Sequence, residues 1–196
     1  MKKVSLITLC SISTILLFGC KNANTAVNTD ALFGNPLFVE RYAEEMVQGL
    51  VELKIQNDPI LEDKGIAKTV DKERSAWMAK AKDARNKQRE GRSGYFLEIN
   101  KYIAGEALYL EDMLYFGTLF EVTPSPELHV HLTTVVDPRD VEFPDETSID
   151  LGKIQSAYGA QTYPVPKIEN PLLYRTVVLW DKELGQMHGF TQLSQR

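Results

Sequence analysis

The spacing of apolar residues changes near residue 94, and this change limits the possible folds more than any other feature of the chain. Before it, Phe38, Tyr42, Met46 and Leu50 recur every four residues, as on one face of an amphipathic helix. After it, short apolar runs are separated by Gly, Pro, Asp and Glu, which is typical of β-strands. Since no strand-like run alternates with a helix-length segment, a parallel sheet is not expected. The sequence predicts an α+β fold, with an N-terminal helical hairpin followed by an antiparallel, jelly-roll-like β-sandwich.

Local signals set the bounds of these two parts. Asn35-Pro36 is typical of a helix cap with proline at the first helical position, and residues 57–59 end that helix. Gly91 ends a second helix. We therefore predict a helical region over 35–91 and a β-sandwich domain over 95–196. The second helix is marked by Val70, Trp77, Ala81 and Ala84, and the strands by the runs 96–103, 107–110, 114–122, 128–136 and 172–180.

Two residues of the β part lead to more specific predictions. Pro164 has no N–H to donate to a neighbouring strand, so the segment 163–166 is predicted to lie at a sheet edge or in a turn. Trp180 ends the run Thr-Val-Val-Leu-Trp and is predicted to be a core residue, and the alternative is an aromatic residue of a binding site.

The first twenty residues have the pattern of a bacterial lipoprotein leader. Lys2 and Lys3 precede an apolar run over 4–18, which is short for a transmembrane helix and typical of a signal peptide. The run leads into Leu-Phe-Gly-Cys20, which resembles a lipobox, and the cysteine thiol is the group that forms the diacylglyceryl thioether there. We predict a signal peptide over 1–19, lipidation at Cys20 and a flexible tether over 20–34. The alternative is an ordinary signal peptide with a chance cysteine.

This leader determines the expected cysteine chemistry and location. Cys10 leaves with the signal peptide and Cys20 is acylated, so the mature chain would have no thiol for a nucleophile, a disulfide or a metal. The expected location is the extracytoplasmic side of the cell envelope. Lys21 stands where an aspartate would resemble an inner-membrane retention signal, which favours the outer membrane in a cell that has two membranes.

Charge is distributed unevenly along the chain. The 27 acidic and 22 basic residues give a formal net charge of −5, which argues against a nucleic-acid partner. Residues 31–94 carry 12 basic and 11 acidic side chains, whereas residues 95–196 carry 7 and 15. A basic cluster at the end of the second helix complements the helix dipole, and the alternative is a surface for anionic lipid or an acidic partner. The cluster contains Lys80, Lys82, Arg85, Lys87, Arg89 and Arg92.

A histidine pair is the main candidate for chemistry in the β part. Glu127, His129 and His131 alternate along a predicted strand and therefore share one face. Two imidazoles at this spacing can bind one metal ion with the carboxylate as a third ligand, so copper or zinc is the implied cofactor. The alternative is a polar strand surface that binds no metal. The acidic run over 137–150 offers oxygen ligands for calcium, but the absence of glycine and of EF-hand spacing favours an ordinary surface loop.

Several strings of the β part form a specific pattern. They lie at 102–107, 114–116, 123–132 and 177–180, and the most diagnostic are Asp150-Leu151-Gly152 and the run 159–166, which has the form Gly-x-Gln-x-Tyr-x-x-Pro. In this order the strings resemble the electron-transfer DM-thirteen domain, a β-sandwich module of extracytoplasmic proteins. The resemblance covers about residues 95–193, and it implies redox activity through a cysteine that directly follows the strand tryptophan. Asp181 occupies that position here, so we expect the fold and the setting of the family without its redox chemistry.

The expected function follows from the absence of common catalytic motifs in the sequence. The chain has no Gly-x-Ser-x-Gly elbow, phosphate loop, dinucleotide fingerprint, His-Glu-x-x-His or Cys-x-x-Cys-His string. This favours a non-catalytic binding or interaction module without a cofactor, which contacts the membrane through its lipid anchor and an unidentified envelope protein or ligand. The first alternative is a redox or metal protein that uses the His-x-His face. The second is an envelope enzyme whose site has no recognisable motif.

Overall fold

A computed structural model describes residues 29–195 of the chain. Its N-terminal part contains the helices α1 (Thr29–Leu32), α2 (Pro36–Ile55) and α3 (Lys64–Glu90), with a short 3-10 helix at Pro59–Glu62. The predicted helical hairpin is therefore present, and α1 lies within the segment predicted as a tether. The predicted signal peptide and Cys20 lie outside the described residues. Within residues 29–195, no helix is both long and apolar enough to cross a bilayer.

Side-chain caps explain where the two long helices begin. The Asn35 side chain accepts hydrogen bonds from the backbone amides of Leu37 and Phe38, and Pro36 follows it at the first helical position. Asp63 caps α3 in the same way, because its carboxylate accepts from the amides of Gly65 and Ile66. Both caps satisfy amides that have no partner within the helix.

The C-terminal part consists of antiparallel β-sheet. The strands are β1 (Arg92–Tyr95), β2 (Leu97–Glu98), β3 (Ile103–Ala104), β4 (Glu106–Leu110), β5 (Met113–Phe116), β6 (Glu121–Val122), β7 (Leu128–Thr133), β8 (Ile149–Lys153), β9 (Gln161–Pro164), β10 (Thr176–Asp181), β11 (Gln186–Gln192) and β12 (Ser194–Gln195). The first strand begins three residues before the predicted start of the β domain and lies inside a sheet.

The strands form two five-stranded sheets and one two-stranded sheet. The first sheet has the order β12-β1-β4-β5-β9, the second has the order β2-β11-β10-β7-β8, and β3 pairs with β6. Alternate residues of both large sheets meet in one buried core, which includes Leu114 and Phe116 from the first sheet and Val130 and Leu179 from the second. This arrangement confirms the predicted α+β fold with an antiparallel sandwich. The edge position predicted for Pro164 is also confirmed, because β9 ends the first sheet.

The hairpin joins the sandwich at the start of α2. Leu37 packs against the buried Leu108 and Leu110 of the first sheet, and the Asn35 side-chain amide donates to the Phe116 carbonyl at 2.8 Å. The buried amide of Gln88, in the last turns of α3, donates to the Pro36 carbonyl at 3.1 Å. These contacts fasten the base of the hairpin to the outer face of the first sheet.

Candidate functional site on the second sheet

The two predicted histidines lie on the outer face of the second sheet, as the alternation along β7 requires. Leu128, Val130 and Leu132 of this strand point into the core. His129 is paired with Trp180 of β10, and His131 is paired with Val178, so these four residues share the opposite face. The structure thereby confirms that the histidines share one face, and it adds Trp180 to that face.

His129 is held between two carboxylates. Its Nδ1 lies 2.9 Å from an oxygen of Asp150, and its Nε2 lies 3.1 Å from Glu127 Oε1. Lys153 forms an ion pair with Glu127, and Lys182 Nζ lies 2.9 Å from Asp150. Both ring nitrogens of His129 are therefore occupied within a small network of alternating charges.

The network keeps its carboxylates ionised. The pKa of Glu127 lies below its usual value, chiefly because of the hydrogen bond from Lys153 and secondarily because of the bond with His129. For Asp150, burial acts to raise the pKa, but the bonds with His129, Lys182 and the Gly152 amide outweigh it and the pKa is lowered. Groups that stay ionised and paired stabilise a surface, whereas a general acid would need a raised pKa.

His131 has a different environment from that of His129. Its side chain is buried, its Nδ1 lies 3.0 Å from Ser148 Oγ, and its ring packs edge-on against Phe143 at 5.5 Å between centroids. Its Nε2 has no hydrogen-bond partner among the described residues. Burial lowers the pKa of His131, and this effect outweighs the opposing charge of Asp150. The ring is therefore a neutral, packed group at neutral pH.

The predicted metal ligands contact other groups instead of converging on one point. Within residues 29–195, no group of three or more His, Cys, Asp or Glu side chains is arranged to hold a metal ion. Glu127 and His129 contact each other, whereas His131 is directed toward Ser148 and Phe143. A metal ion shared by both histidines would have to displace a carboxylate from His129.

The acidic loop over 137–150, considered above as a calcium site, has carboxylates that bond to separate protein groups. Arg139 Nε donates to Asp137 at 2.8 Å, and the bonds from Arg139 lower the pKa of Asp137 to about 2. Asp145 accepts a hydrogen bond from the Thr133 hydroxyl at 2.7 Å. Phe143, at the centre of the loop, is buried against the outer face of the sheet. These contacts make the loop a cover for the second sheet.

Asp181, the position at which the resembled family carries cysteine, organises the turn between β10 and β11. Its side chain is buried and accepts hydrogen bonds from the Ser125 hydroxyl and from the amides of Glu127 (3.3 Å), Glu183 (2.9 Å) and Leu184 (2.8 Å). Burial acts to raise the pKa of Asp181, but these four donors outweigh it and the pKa lies below its usual value. A buried carboxylate with four donors is a structural group.

The sequence reasoning missed His188, which lies fully buried in β11. A bulge shifts the register here, so that Leu179 pairs with Gly189 but Trp180 pairs with Met187. Neither ring nitrogen of His188 has a hydrogen-bond partner among the described residues, and burial lowers the pKa of the ring. Its backbone carbonyl accepts from the amides of residues 99–101. Gly189, which directly follows His188 inside the strand, is the local sequence signal of such a bulge.

Trp180 borders an open groove, which corrects its predicted place in the core. The indole is half-buried on the outer face and packs edge-on against Phe143, with 5.3 Å between ring centroids. The strand alternation explains the difference, because Leu179 takes the inward position and leaves Trp180 outside. The groove has a volume of about 710 Å³. Its lining includes Ile99, Asn100, Arg139, Trp180, Leu184 and Met187.

Comparison with protein families, with curated proteins and with solved structures found no match to this chain. The resemblance to the DM-thirteen domain therefore stays a prediction from the sequence strings.

Proposed function

We propose that this protein is a lipid-anchored lipoprotein of the cell envelope whose sandwich is a non-catalytic binding module. The observation that carries the proposal is the state of the reactive side chains on the second sheet. His129 has both nitrogens bonded to carboxylates, and Asp181 accepts four donors. These groups hold the fold together, whereas the groove beside Trp180 remains open.

The groove has the features of a binding surface. Trp180 leaves a minor part of its side chain accessible, and the exposed Leu184 lies at its side. Arg139 is held by Asp137, and the Asn100 side-chain amide donates to the Met187 carbonyl at 2.8 Å, so the polar part of the lining is fixed in place beside the apolar part. The ligand that this surface binds is an envelope protein or another envelope component, and no nucleic acid or resident cofactor is proposed.

The anchor is supported by the leader pattern and by the short 4–18 apolar run that ends at Cys20. Lys21 supports placement in the outer membrane of a cell that has two membranes. Cells fed with an alkyne fatty acid should label the wild-type protein and the matched control Cys10→Ser. The variant Cys20→Ser should lose the label and should not be processed, because no thioether can form. A processed, membrane-bound Cys20→Ser protein would contradict the anchor.

Site-specific photo-crosslinking in intact cells tests the binding groove. A photoreactive residue at Leu184 should give an adduct of defined mass, whereas the same residue at the exposed Leu172, away from the groove, should not. Adding Trp180→Ala should remove the Leu184 adduct. The same adduct from both positions, or an adduct that survives Trp180→Ala, would contradict a role for the groove.

A redox or metal-binding function is the second candidate, because His131 Nε2 is buried without a hydrogen-bond partner. Voltammetry of metal-free and copper-loaded protein separates the two functions. We expect no reversible wave from the metal-free protein, since Asp181 replaces the cysteine of the resembled family. A wave that requires copper and disappears in both His129→Ala and His131→Ala would favour the second candidate.

A further inference from the structure

Four aromatic side chains, from the start of α2, the residue after α1 and the middle of α3, form a partly exposed cluster on the helical hairpin. The rings of Phe33 and Tyr42 lie 5.2 Å apart, Phe38 stacks on Tyr42 at 5.7 Å, and Tyr42 lies 5.3 Å from Trp77. Phe33 is 36% exposed and Tyr42 is 38% exposed. The cluster thus leaves two large aromatic rings in contact with solvent, because no other part of the described chain packs over them.

The position of the cluster relative to the proposed anchor limits what can cover it. Eight residues lie between Cys20 and Thr29, where α1 begins, and the nine peptide steps that join the two span at most about 30 Å. Phe33 directly follows α1. If Cys20 is acylated, the bilayer surface therefore lies within this distance of the residues that begin the cluster.

The chemistry of the cluster suits the interface between headgroups and acyl chains. Tryptophan and tyrosine are enriched at this level of a membrane because each has an apolar body and a polar group. Lys80 Nζ lies 3.8 Å from the centre of the Trp77 ring. Lys80 and Lys87 border a depression of about 310 Å³ beside Phe33, together with Asp83, whose carboxylate lies 3.7 Å from Lys87 Nζ. Lysines next to exposed rings are the arrangement that anionic headgroups attract.

The difference in charge between the two parts also favours an orientation in which the hairpin, and not the sandwich, faces the membrane. Residues 31–94 carry 12 basic and 11 acidic side chains, whereas residues 95–196 carry 7 basic and 15 acidic ones. An anionic membrane surface repels the acidic sandwich but not the nearly neutral hairpin.

We propose that the cluster of Phe33, Phe38, Tyr42 and Trp77 rests in the headgroup region of the anionic bilayer that holds the lipid anchor. This inference depends on the lipid anchor of the proposed function. The acyl chains hold the protein on the membrane, and the aromatic contact fixes which side of the protein faces the bilayer. Loss of the contact should therefore change orientation and depth while membrane retention persists.

Depth-dependent fluorescence quenching tests this contact, because the two tryptophans lie in different parts of the molecule. Full-length protein, processed in cells, is reconstituted into vesicles of phosphatidylglycerol and phosphatidylcholine brominated near its headgroup. In the variant Trp180→Phe, Trp77 is the only tryptophan, and its emission should be quenched relative to vesicles without brominated lipid, because a tryptophan at the headgroup level lies close to the bromine atoms. In the matched variant Trp77→Phe, Trp180 reports from the sandwich and should be unaffected. Adding Tyr42→Ser to Trp180→Phe should reduce the quenching, and adding Leu172→Ser should not.

Flotation of the vesicles in a density gradient distinguishes the possible failures. Protein that does not float with the vesicles overturns the lipid anchor and with it this inference. Protein that floats while Trp77 emission is unchanged overturns the membrane contact alone, including the case in which a second copy or another protein covers the cluster. A fluorophore on Phe33→Cys, compared with one on Leu184→Cys, gives the same decision without tryptophan substitution, since only the former should shift to the blue.

Discussion

The helical hairpin and the sandwich use their apolar residues in different ways. In the sandwich, Phe116 and Phe120 stack at 4.6 Å and are fully buried between two sheets. In the hairpin, Met46 and Leu50 are only half-buried and Tyr42 is exposed, because two helices bury a narrow seam between them. The difference indicates that burial in the sandwich contributes most of the free energy of unfolding, whereas the hairpin exposes apolar surface to which an external partner can bind.

Truncation of the sandwich core should give the largest effect and tests this comparison most directly. Phe116→Ala should lower the free energy of unfolding by about 3–5 kcal/mol, because it removes a buried ring and leaves a cavity. Phe38→Ala, at a half-buried ring of the hairpin, should have a clearly smaller effect. Urea unfolding followed by circular dichroism measures both. Equal losses would show that the hairpin and sandwich share their stability evenly.

The sequence predicts the parts of this fold that depend on local patterns. The four-residue spacing and the caps at Asn35 and Gly91 bracket the region that forms α2 and α3. The predicted runs 107–110, 114–122, 128–136 and 172–180 each overlap a strand, and the edge location of Pro164 follows from its missing N–H, but β8 and β11 lie outside all of the predicted runs.

The sequence does not predict contacts that join distant segments. The Asp181 turn needs Ser125 and Glu127, which lie more than fifty residues earlier in the chain. The cover over the outer face needs Phe143, whose loop has no apolar alternation of its own. The core position predicted for Trp180 is wrong for the same reason, because the sequence does not show which face of the sheet the distant loop of Phe143 covers.

Removal of the Asp181 carboxylate should have the second largest effect. Asp181→Ala should cost about 2–3 kcal/mol of stability, because it leaves several buried donors without an acceptor. Asp181→Asn keeps one acceptor oxygen and should cost less. Asp181→Cys, which restores the residue of the resembled family, should resemble the alanine variant. Chemical unfolding at pH 7 measures the order, and a stability-neutral Asp181→Ala would contradict the structural role.

The lowered pKa of Asp181 also predicts how the stability of the protein depends on pH. Its pKa is lower in the fold than the ordinary value of 3.8, so the folded state binds the proton less readily than the unfolded state does. The stabilisation is fully present above that ordinary value and is lost as pH falls toward the folded pKa. The stability difference between wild type and Asp181→Asn should therefore shrink in acid. A difference that stays constant down to pH about 2 would contradict the lowered pKa.

The buried histidines should make the sandwich sensitive to mild acid. His131 and His188 both have folded pKa values below the ordinary 6.5, because burial disfavours the charged ring. The unfolded chain therefore takes up protons first as pH falls, and stability declines below pH 6.5 by up to about 1.4 kcal/mol per pH unit for each ring. His131→Gln should make this decline shallower between pH 7 and 5. An unchanged slope in that variant would show that His131 is not buried as a neutral group.

The smallest expected effect belongs to the ion pairs that link α2 to α3. Arg85 Nε lies 2.7 Å from Glu40, and its guanidinium also pairs with Glu44, yet nearly half of the Arg85 side chain is exposed. Solvent screens such pairs, so a double-mutant cycle between Arg85→Ala and Glu44→Gln should give a coupling of about 0.5 kcal/mol that declines in high salt. This result would show that Arg85 joins the two helices through a solvent-screened contact. A coupling above about 2 kcal/mol, or one that salt does not change, would place this contact among the buried interactions and would weaken the contrast between the hairpin and the sandwich.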